Sequence, residues 1–143
     1  MEIQTMPGHL IRRLHQIATH VFSAHAQRAG HDLTPVQFAA MDAIGANPGV
    51  DQARIAALIA YDRATIGGVI DRLEKKGLVV RKVSQRDRRA REVFLSTEGR
   101  KMVDDVFPIV REMQTDILRG LSDEERETFL SLATKATNAH RED

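Results

Sequence analysis

The chain of 143 residues can bury one sizeable core or two small ones, and its 42% hydrophobic and 29% charged residues are ordinary for a globular protein. It has no Cys, which excludes disulfides, thiolate metal sites and thiol redox sensing, and with one Tyr and no Trp it has little to stack on single-stranded bases. The formal charge of +1 conceals an asymmetry: residues 63–101 carry 12 basic and 5 acidic side chains and residues 102–143 carry 5 and 10, so a polyanionic partner is expected for the basic third alone.

No cationic segment followed by an apolar run opens the chain, and no stretch reaches roughly 18 apolar residues, so the expectation is a cytoplasmic protein with no membrane partner. Residues 9–29 read as a first helix: Leu10, Leu14, Ile17 and Val21 recur at helical spacing, with Ala18 and Phe22 widening the stripe. After Gly30, the run Thr34-Pro35-Val36-Gln37 is a strong start signal, with Thr34 as N-cap, Pro35 in the first turn and Gln37 completing a capping box. Phe38, Met41, Ala43 and Ile44 line that second helix until Asn47-Pro48-Gly49 stops it. A short helix over 51–59 and a further helix over 63–76, capped by Asp62 and closed by Gly77, then form a helix-turn-helix.

Residues 78–83 and 92–95 read as strands around a polar tip that carries Arg86, Arg88, Arg89 and Arg91, which makes a basic β-hairpin wing. Ser96 caps a long helix to about Arg119, with Val103, Val106, Val110, Met113 and Ile117 on one stripe and Pro108 expected to kink it. Ser122-Asp123-Glu124-Glu125 is a second capping box and opens the last helix. The outer helices are expected to form a second small core shared with a partner. The fold class is therefore mainly α with a small β-hairpin wing.

A recognition helix presents its N-terminal residues to base edges in the major groove. Here these are Arg63, Ala64, Thr65, Gly67 and Gly68. Arg63 suits the O6 and N7 acceptors of guanine, and Thr65 suits a base edge or a thymine methyl. Each glycine of the pair costs on the order of 1 kcal/mol against alanine in mid-helix, which fits either close approach to DNA or tight packing against the wing. Arg72, Lys75 and Lys76 suit phosphates. The wing arginines suit the minor groove, with Asp87 expected to pair with a neighbouring arginine and fix the loop.

The succession Asp62-Arg63-Ala64-Thr65, then Val69-Ile70-Asp71-Arg72-Leu73-Glu74-Lys75-Lys76-Gly77-Leu78-Val79, then Asp87-Arg88-Arg89 and Leu95-Ser96-Thr97-Glu98-Gly99 resembles the MarR family of bacterial transcriptional regulators. The resemblance implies a homodimeric repressor on a pseudo-palindromic double-stranded operator. Residues 1–33 and 101–143 would form the dimerisation region and residues 34–100 the winged helix-turn-helix domain. By position it implies DNA contacts from Arg63, Thr65, Arg72 and the wing arginines, with Asp87 bracing the wing and Gln52, Thr34 and Pro35 as candidates for phosphate contact. The glycine pair departs from the residues commonest in the family at that place.

Members of that family often release DNA when a small anionic or phenolic compound binds. At 100° per residue, His9, Arg13, Gln16 and His20 of the first helix fall within roughly 60° of one another beside the apolar stripe, which suits an aromatic or acyl carboxylate effector. The same residues can equally be a solvated or dimer-contacting helix edge. His9, His15, His20 and His25 follow one another at spacings of six and five, not the three or four that pairs metal ligands on a helix, so no metal and no cofactor are expected. The alternative function is a constitutive or architectural DNA-binding protein with no effector. An enzyme is disfavoured, because no phosphate loop, nucleophile motif or persuasive carboxylate pair is present.

Overall fold

The computed structural model describes residues 1–141. A 3-10 turn, Glu2–Thr5, leads into α1 (Pro7–Arg28), α2 (Pro35–Ala46), α3 (Gln52–Leu58), α4 (Ile66–Lys75), β1 (Val79–Val83), β2 (Arg91–Leu95), α5 (Thr97–Ile117) and α6 (Asp123–Asn138). The result is a mainly helical fold with one antiparallel hairpin. No described helix is long and apolar enough to cross a membrane.

Local hydrogen bonding sets most of these boundaries. The Thr34 hydroxyl accepts the Gln37 N–H at 3.2 Å while the Gln37 amide oxygen accepts the Thr34 N–H at 3.2 Å. Ser122 and Glu125 repeat the arrangement at α6, where the Ser122 backbone N–H, followed by its hydroxyl, holds the Glu125 carboxyl below its ordinary range. Glycines at positive φ, Gly30 after α1 and Gly77 after α4, close their helices. After α3 the same left-handed position falls to Ala60, at φ 55°. The Ala60 N–H donates to Ala57 and the Tyr61 N–H to Ala56, so the bonds of the turn hold a residue that its Cβ disfavours there.

One boundary differs from the sequence expectation. The helix expected from Arg63 begins at Ile66. The Asp62 carbonyl accepts the N–H groups of Thr65 and Ile66 and the Thr65 hydroxyl, and this local bonding holds residues 63–65 as a turn. As expected, α5 is one long helix with Pro108 inside it.

Within the chain the buried residues form one continuous core. Met41 and Ile44 of α2, Ile55 of α3, Ile66, Ile70 and Leu73 of α4, and Val79 and Val93 of the hairpin are fully buried. Phe38 joins this cluster to the outer helices, with its ring 6.3 Å from Phe22 on α1 and 5.8 Å from Phe107 on α5. Only the middle and end of α1 (Phe22, Ala26) and one stripe of α5 (Val103, Val106, Met113) take part. Leu10, Ile11 and Ile17 of α1 stay exposed, and α6 buries none of its residues.

The hairpin pairs Val79 with Leu95 through to Val83 with Arg91. Val50, in the loop after α2, bridges the far edge of β2 by accepting the Val93 N–H at 3.0 Å, so only the β1 edge is open. At the base, the Ser96 hydroxyl donates to the Gly77 carbonyl at 2.6 Å and accepts the Gly99 N–H at 3.0 Å, and the Ser96 N–H donates to the Leu78 carbonyl at 3.0 Å. A Cβ on Gly99 would land on that same carbonyl oxygen, well inside contact distance. The Ser and Gly of this segment therefore fasten α5 to the turn that ends α4.

Two substitutions should move stability in opposite directions. Gly99→Ala should cost about 1–3 kcal/mol by forcing backbone apart. Ala60→Gly should gain about 1 kcal/mol by relieving the left-handed Cβ. Chemical denaturation midpoints of the two variants check both signs.

Candidate nucleic-acid interface

Recognition-helix residues divide sharply. Ile66, Val69, Ile70 and Leu73 of α4 are buried, while Arg72 and Lys75 on the helix and Arg63, Ala64 and Thr65 on the preceding turn are exposed. Gly68 is exposed and Gly67 half-buried. A Cβ at Gly68 would meet nothing within 4 Å, and one at Gly67 would meet only the Gln52 amide at an ordinary 3.5 Å. Packing against the wing therefore does not require the pair. Lys76 is not free for a phosphate: its ammonium donates to the Asp32 carbonyl at 2.7 Å and the Gln37 amide oxygen at 3.3 Å, with the Asp32 carboxylate at 3.5 Å. It ties the end of α4 to the start of α2.

The wing loop is built on a buried hydroxyl. Ser84 Oγ accepts the N–H groups of Arg86 (3.2 Å) and Asp87 (3.3 Å), and the Ser84 N–H donates to the Ala90 carbonyl at 3.0 Å. Asp87 braces the loop as expected but not by pairing with an arginine. Its carboxylate accepts the Arg89 backbone N–H at 3.0 Å, the self-bonded turn that Asp forms readily. Arg86, Arg88, Arg89 and Arg91 are exposed, and none makes an ion pair among the described residues.

Arg81 of β1, not singled out from the sequence, holds the wing to the helix. Its guanidinium lies 2.7 Å from the Asp71 carboxylate and 4.0 Å from Glu74, donates to the Gly67 carbonyl at 3.4 Å, and is only 11% exposed. Its Nε is buried without an acceptor, so part of the desolvation cost remains. Strand alternation is the signal that could have found it: Val79 and Arg81 share a face, and Val79 is buried. An arginine turned inward needs a carboxylate, and Asp71 and Glu74 stand one turn apart on the neighbouring helix.

Gln52, Arg63, Arg81, Arg89 and Arg91 all line one cleft of about 520 Å³ between the start of α3 and the wing, with Asp51 at its rim. Asp51 accepts the Arg54 N–H at 2.8 Å as the cap of α3. With the Arg81 guanidinium engaged by Asp71, the exposed Arg63, Arg89 and Arg91, unpaired among the described residues, leave this concavity a positive field suited to phosphate oxygens. Thr34 and Pro35 lie elsewhere. Thr34 is spent on the α2 cap, and Pro35 lines a cavity of about 250 Å³ with Phe22, Phe38 and Val110 among its walls.

The residues proposed for a small ligand are partly brought together. Arg13, Gln16 and His20 line a cleft of about 720 Å³ between α1 and the end of α5, where Arg119 adds a second cation. His9 does not line it; its Nδ1 lies 3.1 Å from an Arg12 guanidinium nitrogen. At the far end His25 Nε2 lies 3.2 Å from the Asp116 carboxylate, which joins α1 to α5. No group of three or more His, Cys, Asp or Glu side chains among the described residues is arranged to hold a metal ion.

Because Arg81 fixes the wing to α4, Arg81→Ala should lower stability by about 1–3 kcal/mol. Arg81→Lys should recover little, since an ammonium cannot reach both Asp71 and the Gly67 carbonyl in the same plane. Equilibrium unfolding of the two variants measures both effects.

The comparisons with known proteins agree with this architecture. The profile of the MarR family matches residues 31–90, which span the start of α2 to the wing. The transcriptional regulator HosA of Escherichia coli O111:H- is 35% identical over 142 residues, covering 97% of this chain and 100% of that one. Among solved structures, Bordetella bronchiseptica BpsR, described with regulation of its DNA binding by 6-hydroxynicotinic acid, superposes with a TM-score of 0.85 at 28% identity over 94% of each chain. The transcriptional repressor CouR, solved on a 23-mer DNA duplex, superposes with a TM-score of 0.82 at 26% identity over 95% of each chain. The chain belongs to the MarR family of winged helix-turn-helix transcriptional regulators.

Proposed function

We propose that this chain is a homodimeric, sequence-specific repressor that reads a pseudo-palindromic operator in double-stranded DNA and is released by a small aromatic carboxylate. The observation that carries the DNA reading is the convergence of Gln52 and the unpaired Arg63, Arg89 and Arg91 on one cleft beside the exposed face of α4. In this reading α4 lies in the major groove, with Arg63 on a guanine edge and Thr65 beside it. Arg72 and Lys75 meet phosphates, and a wing arginine enters the minor groove. Ala64 and the glycine pair face the same groove, and Arg86 and Arg88 follow the backbone.

Dimerisation has its own support. The 16 residues of α6 bury nothing within the chain, and Leu130 and Leu132 are 57% and 59% exposed. Most helical stability in proteins comes from tertiary packing of an apolar stripe, so the exposed Leu130 and Leu132 of α6 call for a covering partner. Leu10 and Ile11 of α1 supply a matching exposed apolar surface. In this reading residues 1–33 and 101–143, of which 142 and 143 lie outside the described residues, form the dimerisation region, with residues 34–100 as the reading domain. The cytoplasm is where such a regulator meets its DNA.

For the effector, Arg13 and Arg119 provide charge for a carboxylate, Gln16 and His20 provide hydrogen bonds, and Ile17 and Val21 provide an apolar wall. The regulated DNA binding described for BpsR lends this class of ligand weight. A constitutive DNA-binding protein would share the reading head and differ only in ignoring every ligand.

Operator selection from a random duplex pool, followed by affinity measurement at several salt concentrations, tests the reading. Arg63→Ala should cost roughly 1–3 kcal/mol on the selected duplex and relax preference at one base position. Lys75→Ala should weaken selected and random duplexes alike and reduce the salt slope by about one. Equal behaviour of the two variants on both DNAs would contradict the assignment of α4. Titrating hydroxylated aromatic carboxylates into the complex should release wild-type protein, whereas Arg13→Ala should need at least about tenfold more ligand, the loss expected for a charge-assisted pair. Release at unchanged ligand concentration would remove Arg13 from the site.

A further inference from the structure

The glycine pair of α4 has no internal explanation. Gly67 and Gly68 are absent from the residues at positive φ, so neither needs glycine for its backbone conformation. Neither is packed closely enough to exclude a Cβ, and at Gly68 the space is open. Glycine nevertheless weakens a helix relative to alanine, because its backbone loses more freedom on folding. A helix of ten residues that carries two glycines near its start keeps a defect that folding does not require.

Position supplies the missing reason. At 100° per residue, with Gly68 as zero, the buried Val69, Leu73, Ile66 and Ile70 lie at roughly 100–200°. Thr65, Arg72 and Lys75 all fall within roughly 60° of Gly68 on the opposite side. Gly68 therefore lies within roughly 30° of the crest of the exposed face, on the side of α4 away from the core. A helix entering a major groove brings its crest closest to the groove floor. With no side chain there, the backbone itself meets the base edges. It offers only Cα hydrogens at that point, so the base group that fits is apolar, and the apolar group on a major-groove edge is the thymine 5-methyl.

We propose that Gly68 is a specificity-determining residue: its bare Cα accommodates a thymine methyl at the groove floor, a place any larger residue would occupy itself. Gly67, half-buried beside it, keeps the adjoining turn low, and its carbonyl is held by Arg81 at 3.4 Å. The inference rests on the major-groove placement of α4 proposed above.

The test uses the full-length protein, the variant Gly68→Ala and the duplex selected by the wild-type protein, prepared with thymine or with uracil at each position in turn. Gly68→Ala should melt about 2–6 °C higher than wild type, since alanine suits the helix better. It should bind the thymine duplex at least about tenfold more weakly than wild type. With uracil at one position per half-site, wild type should lose a few-fold and the gap between the two proteins should close to within about twofold. A stabilised variant that binds the thymine duplex as wild type does would overturn the proposal. So would a loss of equal size on the thymine duplex and on every uracil duplex. A wild-type protein that selects no duplex, or whose Arg63→Ala variant binds its selected duplex unchanged, overturns the major-groove placement itself; that outcome is distinct from failure at Gly68 alone.

Discussion

The arginine at position 81 sets the geometry between the two parts of the reading head. A hairpin wing and a recognition helix can act on one stretch of DNA only if their separation and angle are fixed, and hairpins are weakly held by their own hydrogen bonds. Arg81 spans the gap at 2.7 Å from the Asp71 carboxylate and 3.4 Å from the Gly67 carbonyl. Val50 holds the other edge of the wing through the Val93 N–H, and Ser96 with Gly99 fastens the base of the hairpin to α5. The wing is thus fixed on three sides, and the arginines at its tip start from a defined place.

A consequence is that the reading head is joined to the outer helices by a few named contacts. Lys76 links the last turn of α4 to Asp32 and Gln37, and Gln37 is itself half of the capping box of α2. Phe38, one residue further, lies between Phe22 of α1 and Phe107 of α5. Phe38, Gln37 and Lys76 thus form one chain of contacts that runs from α1 and α5 through α2 to the end of α4. The cleft lined by Arg13, Gln16, His20 and Arg119 lies between those same two helices. The charge asymmetry follows the same division, with the basic surplus on the reading head and the acidic surplus on the last two helices.

Much of the fold was legible because its signals are local. Thr34 with Gln37 and Ser122 with Glu125 announce helix starts by bonds that span only three residues, and the structure makes those bonds. The apolar stripe of α4, the hairpin and the exposed arginines of the wing are legible for the same reason. Failures came where a residue has two possible partners. Asp87 could pair with a guanidinium or with the backbone two residues on, and the nearer donor prevailed. Lys76 looked like a phosphate ligand but has partners 44 and 39 residues earlier in the chain. His9 shares a helix face with Arg13, yet its ring meets Arg12. Arg81 and the close approach of Gly99 to Leu78 depend on contacts between elements, which periodicity alone does not reveal.

The central claim is that a wing and a helix locked together read the two grooves at once. Methylation interference on the selected duplex tests it most directly, because dimethyl sulfate marks guanine N7 in the major groove and adenine N3 in the minor groove. The account predicts that two clusters of methylated guanines about one helical turn apart prevent binding, with methylated adenines interfering where the wings reach the minor groove. Binding that tolerates methylation in the major groove, or interference confined to one groove, would contradict it.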